Sequence, residues 1–148
     1  MDIREHDLLD AANRDGVVSH VVGLVVKRAS RVLLLKRRED DYLPNMWEIP
    51  GGHVDPGETL ARALARELYE ETGLRLKEVI RYLGYCDYLG EFGRTREWNF
   101  EVRVHEMRRI AHPEHAACRW VLPDEWARLD MTSEMRQALE RIAVPPAP

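Results

Sequence analysis

The stretch from Gly52 to Leu74, GHVDPGETLARALARELYEETGL, constrains the fold most, because a glycine-rich turn leads into an amphipathic helix with acids beside its apolar stripe. A helix turns about 100° per residue, so Glu70 and Glu71 lie about 60° and 40° to either side of Glu67. The three acids therefore continue the apolar stripe instead of opposing it. That stripe is formed by Leu60, Leu64 and Leu68.

This arrangement predicts that the three carboxylates point inward. A solvated helix carries its charges opposite its leucines, but here the opposite side carries Arg62, Ala65, Tyr69 and Thr72. Like charges one turn apart repel each other, so we expect a cation to offset them. Oxygen ligands suit Mg²⁺ or Mn²⁺ better than zinc. A surface helix that is merely acidic is the alternative interpretation.

Length and composition narrow the class of protein. A chain of 148 residues suits a single domain over residues 1–148. The net charge of −4 argues against binding a nucleic acid polymer or a membrane surface. The N-terminus lacks the apolar core of a signal peptide, and no apolar run is long enough to span a bilayer. Since Cys86 and Cys118 have neither metal-ligand nor disulfide spacing, we expect a cytoplasmic protein.

Hydrophobic alternation predicts strands on both sides of the central helix. Val17–Lys27 and the segment VLLLKRR, from Val32, are predicted to form a hairpin. Thr95–His105 is predicted to be half-buried, with alternate residues from Trp98 to Val104 facing the core and Glu97, Asn99, Glu101 and Arg103 facing solvent. The remaining predicted elements are a strand over Glu78–Leu89, a connecting loop over Leu89–Arg94 and a short strand over Arg119–Leu122.

Capping residues predict where the helices begin and end. Glu58 and Thr59 begin the central helix and Gly73 ends it. Pro123 begins a short helix, and Thr132 caps a final one that packs through Met135, Leu139 and Ile142. Residues 1–15 form either a short helix or a loose arm, and residues 143–148 a frayed tail. Together the elements predict an α+β class or a three-layer α/β/α sandwich on a mixed sheet.

The acidic stretch resembles the signature of the Nudix hydrolases and matches every fixed position of it. The resemblance implies an α/β/α sandwich and hydrolysis of a nucleoside diphosphate linked to another group, X. It also implies a divalent cofactor, Mg²⁺, for which Mn²⁺ can substitute. The matching positions are Gly52, Glu58, Arg66, Glu67, Leu68, Glu70, Glu71, Gly73 and Leu74.

Roles follow from that resemblance residue by residue. It implies that Glu67, Glu70 and Glu71 hold the metal with the backbone carbonyl of Gly52. It also implies that Arg66 orients Glu67 through a charge-assisted hydrogen bond, which suits the planar guanidinium. We assign Glu67 as the general base, with Glu70 also in the catalytic set, although a loop acid could serve instead. Glu58 is supporting, either as a contact behind the metal ligands or as a helix-capping acid.

The segments LLLKRR, PNMWEIPGGHVDPGE and EHAACRWV resemble the Nudix branch that cleaves modified nucleoside triphosphates such as 8-oxo-dGTP. In that branch a loop acid ahead of a tryptophan is a further metal ligand, which implies Glu114 here, with an exposed loop acid as the alternative. Arg37 matches a phosphate-contacting arginine or is a solvated strand end. Trp47 and Tyr42 either stack on the base or join the core, as aromatic residues beside strands often do.

Other functions remain open at this point. We expect a small nucleotide as substrate and nucleoside monophosphate plus pyrophosphate as products, and a homodimer is left open. Nudix members that cleave ADP-ribose carry a proline that Gly84–Gly90 lacks, and those that cleave dinucleoside polyphosphates carry a tyrosine near the position of Tyr88. Nucleotide sugars, a non-catalytic nucleotide sensor and a structural acidic helix are further alternatives. His20 is expected in the core, and His112 and His115 in loop roles.

Overall fold

A mixed sheet of seven strands with flanking helices forms the fold in the computed structural model, which describes residues 4–105, 110 and 114–143. The predictions for His112, for the side chain of Ile142 and for most of the tail lie outside the described residues. The strands are β1 (Ser19–Arg28), β2 (Arg31–Lys36), β3 (Trp47–Glu48), β4 (Gly51–His53), β5 (Leu76–Gly90), β6 (Gly93–Val104) and β7 (Ala117–Val121). The helices are α1 (Glu5–Arg14), α2 (Leu60–Thr72), α3 (Pro123–Trp126) and α4 (Ser133–Ala143).

The strand order explains why the sheet is mixed. The main path runs β3-β2-β1-β6-β5, while β4 pairs with β1 and β7 pairs with β2. β1 and β6 are parallel, and the remaining pairs are antiparallel. The predicted hairpin of the first two strands and the predicted α+β sandwich are confirmed. Gly51 and Gly52, predicted to form a turn, instead lie in β4, and pairing with β1 holds them in the sheet just before α2.

Each face of the sheet buries a separate apolar cluster. On one face, the leucines of α2 pack against Val22, Leu24 and Phe100, as the helical pattern predicted. On the other face, Met135 and Leu139 of α4 pack with residues of β1 and β2. Each fully buried leucine contributes roughly 2 kcal/mol, so packing fixes α2 firmly against the sheet. No helix in the described part of the chain is long and apolar enough to cross a bilayer.

Two predictions about β6 are wrong. The strand is buried on both faces, since Asn99 and Glu101 are only 2% and 7% exposed. β6 lies between β1 and β5, and Glu101 is covered by ion pairs with Arg81 at 3.0 Å and Lys27 at 3.4 Å. The loop predicted over Leu89–Arg94 is also shorter, because the pairing of β5 with β6 continues as far as Gly90 and Gly93.

The N-terminal segment forms a helix rather than a loose arm. The Glu5 carboxylate accepts a hydrogen bond from the Ala61 backbone N–H at 2.9 Å, so α1 contacts the first turn of α2. At the other end of α1, Asp15 pairs with Arg96, whose side chain is fully buried and also bonds Asp87. These contacts anchor α1 both to α2 and to the β5–β6 hairpin.

Candidate active site

Short backbone contacts set the bounds of the acidic helix. Thr59 caps α2, since its hydroxyl oxygen accepts a hydrogen bond from the Arg62 N–H at 3.1 Å. At the other end, Gly73 has a φ of 75° and its N–H bonds the Tyr69 carbonyl. A left-handed backbone favours glycine, so the predicted helix end is confirmed. Glu58 closes the preceding turn by accepting a hydrogen bond from the Asp55 N–H at 3.0 Å.

Arg66 lies at the centre of the acids. Its guanidinium donates two hydrogen bonds to Glu58, at 2.7 and 2.9 Å, and one to Glu67 at 2.8 Å. It also donates to Glu70 at 3.2 Å and to the His53 carbonyl at 2.8 Å. The hydrogen bond from Arg66 lowers the pKa of Glu58 to about 2. Since Thr59 caps the helix, Glu58 serves to fix the guanidinium that contacts Glu67.

The inward orientation predicted for the acids holds for two of the three. The side chains of Glu67 and Glu71 are 13% and 7% exposed, whereas that of Glu70 is 56% exposed and lies at the rim. Thr72, predicted on the solvated side, is instead fully buried. It can lie in the core because its hydroxyl donates to the Leu68 carbonyl at 2.6 Å, which satisfies its polar group.

Glu67 lies directly against Gly52 of β4. A Cβ atom on Gly52 would come within 2.4 Å of the Glu67 carboxylate carbon, so a side chain at this position would displace the acid. Burial raises the pKa of Glu67, the hydrogen bond from Arg66 opposes that rise, and the charges of Glu70 and Glu114 add to it. The electrostatic effect of Glu114 indicates that this predicted ligand lies on the same side of the molecule as α2.

Glu71 is buried with one oxygen anchored. Its Oε1 accepts a hydrogen bond from the Gly51 N–H at 3.1 Å, while its buried Oε2 has no hydrogen-bond partner. Burial raises the pKa of Glu71 to about 8. A buried carboxylate needs a partner for its charge, and a divalent cation at Oε2 would supply one.

The donor set fits a hard cation. Arg66 or the Gly51 amide engages one oxygen of each of Glu67, Glu70 and Glu71, so a second oxygen on each acid remains for an ion. Carboxylate oxygens are the ligands that Mg²⁺ and Mn²⁺ prefer. With these contacts in place, no three Asp, Glu, His or Cys side chains among the described residues are arranged to hold a metal ion. Binding an ion would therefore require the carboxylates to turn.

His115 and Glu48 belong to this site, although sequence patterns did not point to them. The Nε2 atom of His115 lies 3.5 Å from Glu48 Oε2 and 3.8 Å from Glu71 Oε2. Burial lowers the pKa of His115, but the hydrogen bond with Glu48 and the charge of Glu71 outweigh that effect and raise it. His115 is therefore more than the loop residue we expected, because it is buried between two acids.

The residues predicted to contact the substrate do not all lie at the cavity. Arg37 lines a cavity beside Gly52, and its guanidinium donates to Glu48 at 2.8 Å and to Asp41 at 3.0 Å. Trp47 is buried in the apolar cluster around α4, so the structure does not bring it to that cavity. Tyr42 is largely exposed and contributes its carbonyl to Arg37. The cavity has a volume of about 230 Å³.

A family model described as the NUDIX domain matches residues 18–142. The chain belongs to the Nudix family. The match extends from just before β1 almost to the end of α4, and thus includes every element that forms the site. Nudix hydrolases generally use a divalent metal ion, in agreement with the acids on α2.

The relatives of this chain are named for several different phosphate compounds. The asymmetrical bis(5'-nucleosyl)-tetraphosphatase of Rattus norvegicus is 33% identical over 126 residues, covering 82% of this chain and 84% of the relative. The dihydroneopterin triphosphate diphosphatase of Escherichia coli K12 is 29% identical and covers 86% and 92%. Shorter matches link the chain to the m7GpppN-mRNA hydrolase NUDT17 of Xenopus laevis (50% identity, 39% of this chain, 20% of the relative) and an 8-oxo-dGTP diphosphatase of Buchnera aphidicola (39% identity, 38% and 42%).

Solved Nudix structures share the fold. The crystal structure of a MutT Nudix hydrolase from Burkholderia pseudomallei superposes with a TM-score of 0.73 at 27% identity, covering 84% of this chain and 97% of that one. The solution structure of the E. coli ORF135 protein gives a TM-score of 0.75 at 26% identity, with coverage of 88% and 96%. The protein is thus a Nudix hydrolase.

The raised pKa of Glu71 predicts how the stability of the protein depends on pH. Because its pKa rises from 4.5 to about 8 on folding, the native state keeps a proton that the unfolded state loses. The free energy of unfolding should therefore fall as the pH rises through that window, by at most about 4 to 5 kcal/mol. Urea unfolding in the presence of a chelator, at pH 5 and pH 8, should show a smaller fall in Glu71→Gln than in wild type. Glu70→Gln is the control at an exposed acid, and equal falls in wild type and Glu71→Gln would contradict the assignment.

Proposed function

We propose that this Nudix hydrolase cleaves nucleoside triphosphates to nucleoside monophosphate and pyrophosphate, using Mg²⁺ or Mn²⁺. The observation that carries the proposal is the anchoring of one oxygen on each of Glu67, Glu70 and Glu71, beside a cavity that begins at Gly52. A carboxylate that is held at one oxygen can turn its second oxygen towards a cation next to a bound phosphate chain.

The metal ligands in this proposal are Glu70 and Glu71 of α2, the Gly52 carbonyl and Glu114, while the free oxygen of Glu67 is kept for the proton. The buried Oε2 of Glu71, which has no hydrogen-bond partner, and the electrostatic effect of Glu114 on Glu67 support the set. When bound, the ion neutralises phosphate oxygens and lowers the pKa of a bound water molecule.

Glu67 is the general base in the proposal. Its second oxygen accepts a proton from the attacking water, while Arg66 holds the first oxygen and so fixes the direction of the acceptor. Burial raises the pKa of Glu67, which makes it a better proton acceptor than an exposed glutamate. Arg37 lies in the same cavity and contributes positive charge for the phosphate chain, while Glu48 and Asp41 hold its guanidinium in place.

A dinucleoside polyphosphate is the second candidate substrate. The relative at 33% identity is named for such a compound, and Tyr88 lines the cavity, where it could stack on a second base. A non-catalytic sensor is disfavoured because every acid of the family signature is present.

A substrate panel tests the proposal. Canonical and oxidised nucleoside triphosphates, ADP-ribose, nucleotide sugars and dinucleoside tetraphosphates would be incubated with enzyme and Mg²⁺, and pyrophosphate and phosphate measured separately. We expect pyrophosphate from triphosphates at the highest kcat/KM. Turnover of a dinucleoside polyphosphate without turnover of any triphosphate would contradict the proposal and favour the second candidate.

A further inference from the structure

The cavity lined by Gly52 also contains an acid of β6, Glu97. In the register of the sheet, His53 of β4 and Glu97 of β6 both pair with Val21 of β1. Paired residues of adjacent strands project from the same face, and all three line the cavity that also contains Gly52. A ligand with its phosphates near Gly52 can therefore extend across β1 towards Glu97.

The walls around Glu97 suit a flat heterocycle. Val21, Ile49 and Met135 line the cavity and are buried apolar residues. Tyr88 also lines it and is 43% exposed, so its ring is accessible to a ligand. Small-molecule sites typically combine apolar walls with a few polar groups that fix orientation. The deep polar group here is the Glu97 carboxylate.

Glu97 retains acceptor capacity for a ligand, because an ionised carboxylate has about four lone-pair sites. It accepts a hydrogen bond from the Asn99 side chain, and no arginine or lysine within the described residues is paired with it. Burial, together with the charge of Glu48, raises the pKa of Glu97 to about 7. The neighbouring Asn99 Oδ1 is also buried without a hydrogen-bond partner. In contrast, Glu48, the other acid of this cavity, is already paired with Arg37 and His115.

We propose that Glu97 selects the nucleobase by accepting two parallel hydrogen bonds from adjacent N–H donors of a 2-amino-4-oxopyrimidine ring, the edge shared by guanine and pterin. An ionised carboxylate has acceptors only, and this edge is the one that presents a ring N–H beside an amino group. Adenine and cytosine place an acceptor next to the amino group, while hypoxanthine lacks the amino group. The inference rests on the proposed function and names its substrate class.

Comparison of GTP with inosine triphosphate measures this contact directly, because the two differ only in the 2-amino group. We expect wild type to prefer GTP in kcat/KM by about 10- to 100-fold, the range typical for a lost hydrogen bond to a buried partner. Glu97→Gln replaces one acceptor with a donor, so it should abolish most of that preference and improve relative use of ATP. Competition by GMP and IMP should show the same change in Kd, independently of turnover.

Glu134→Gln is the matched control. Glu134 is exposed on α4 and its charge acts on Glu97, so the variant removes a nearby charge without removing the contact, and it should keep the wild-type GTP preference. Triphosphate hydrolysis with no GTP preference in wild type, or an equal preference in wild type and folded Glu97→Gln, would overturn the role of Glu97. If wild type hydrolyses no triphosphate, the proposed function is overturned. In that case, equal affinities for GMP and IMP would overturn the base contact as well.

Discussion

The Glu67→Gln variant should hydrolyse triphosphates with a kcat about 1,000-fold below that of wild type, because the amide cannot accept the proton of the attacking water. The amide keeps the size of the side chain and can still accept the Arg66 hydrogen bond, which measures 2.8 Å in wild type. The fold should therefore persist, and circular dichroism with thermal unfolding would check it. Steady-state kinetics at saturating nucleotide and Mg²⁺ measures the effect.

Glu70→Gln calibrates that result within the same helix. Glu70 is 56% exposed and shares only one hydrogen bond with Arg66, so its variant should lose a metal ligand without losing the base, and kcat should fall on the order of 100-fold. Wild-type turnover in Glu70→Gln at saturating Mg²⁺ would remove it from the metal set. A smaller loss in Glu67→Gln than in Glu70→Gln would move the base to another acid, with Glu114 the first to test.

Arg66→Ala should lower both activity and stability. It leaves three carboxylates, Glu58, Glu67 and Glu70, close together without their shared cation. We expect the free energy of unfolding to fall by about 2 kcal/mol and kcat/KM to fall about 100-fold, because Glu67 loses its orientation. Urea unfolding and steady-state kinetics measure the two effects.

Two further arginine variants test whether Arg66 acts by orienting Glu67 or only through its positive charge. Arg66→Lys keeps the positive charge but cannot bind Glu58 through two hydrogen bonds and Glu67 through a third, so it should recover stability more than activity. Arg62→Ala, on the exposed side of α2, should change neither by much. Full activity in Arg66→Lys would show that Arg66 acts through its charge alone.

Much of the fold was predictable because local chemistry determines it. The bounds of α2 follow from a Thr cap and a left-handed glycine, and its buried stripe follows from leucines at every fourth position. The prediction for β6 was wrong because alternation reports residue polarity and not what covers a face. Asn99 and Glu101 are polar yet buried, and Glu101 is covered by Lys27 and Arg81 of the neighbouring strands.

Only the part of the site that lies on α2 could be predicted from the sequence. The spacing of Glu67, Glu70 and Glu71 is local, whereas Glu48 and His115 are 67 residues apart in the chain and meet only in the folded protein. Glu97 was assigned to the solvent face by its charge, and the cavity beside it depends on the pairing of β4, β1 and β6. Trp47 could either stack on the base or join the core by its sequence, and it is buried in the cluster around α4.

The products of GTP hydrolysis test the central claim most directly. Phosphorus NMR of GTP incubated with wild type and Mg²⁺ distinguishes pyrophosphate plus GMP from phosphate plus GDP, and parallel samples with a chelator or with Glu67→Gln provide the controls. The account predicts GMP and pyrophosphate in equal amounts with wild type, and almost none in either control within the same time. Phosphate and GDP as the products, or unchanged pyrophosphate release by Glu67→Gln, would contradict it.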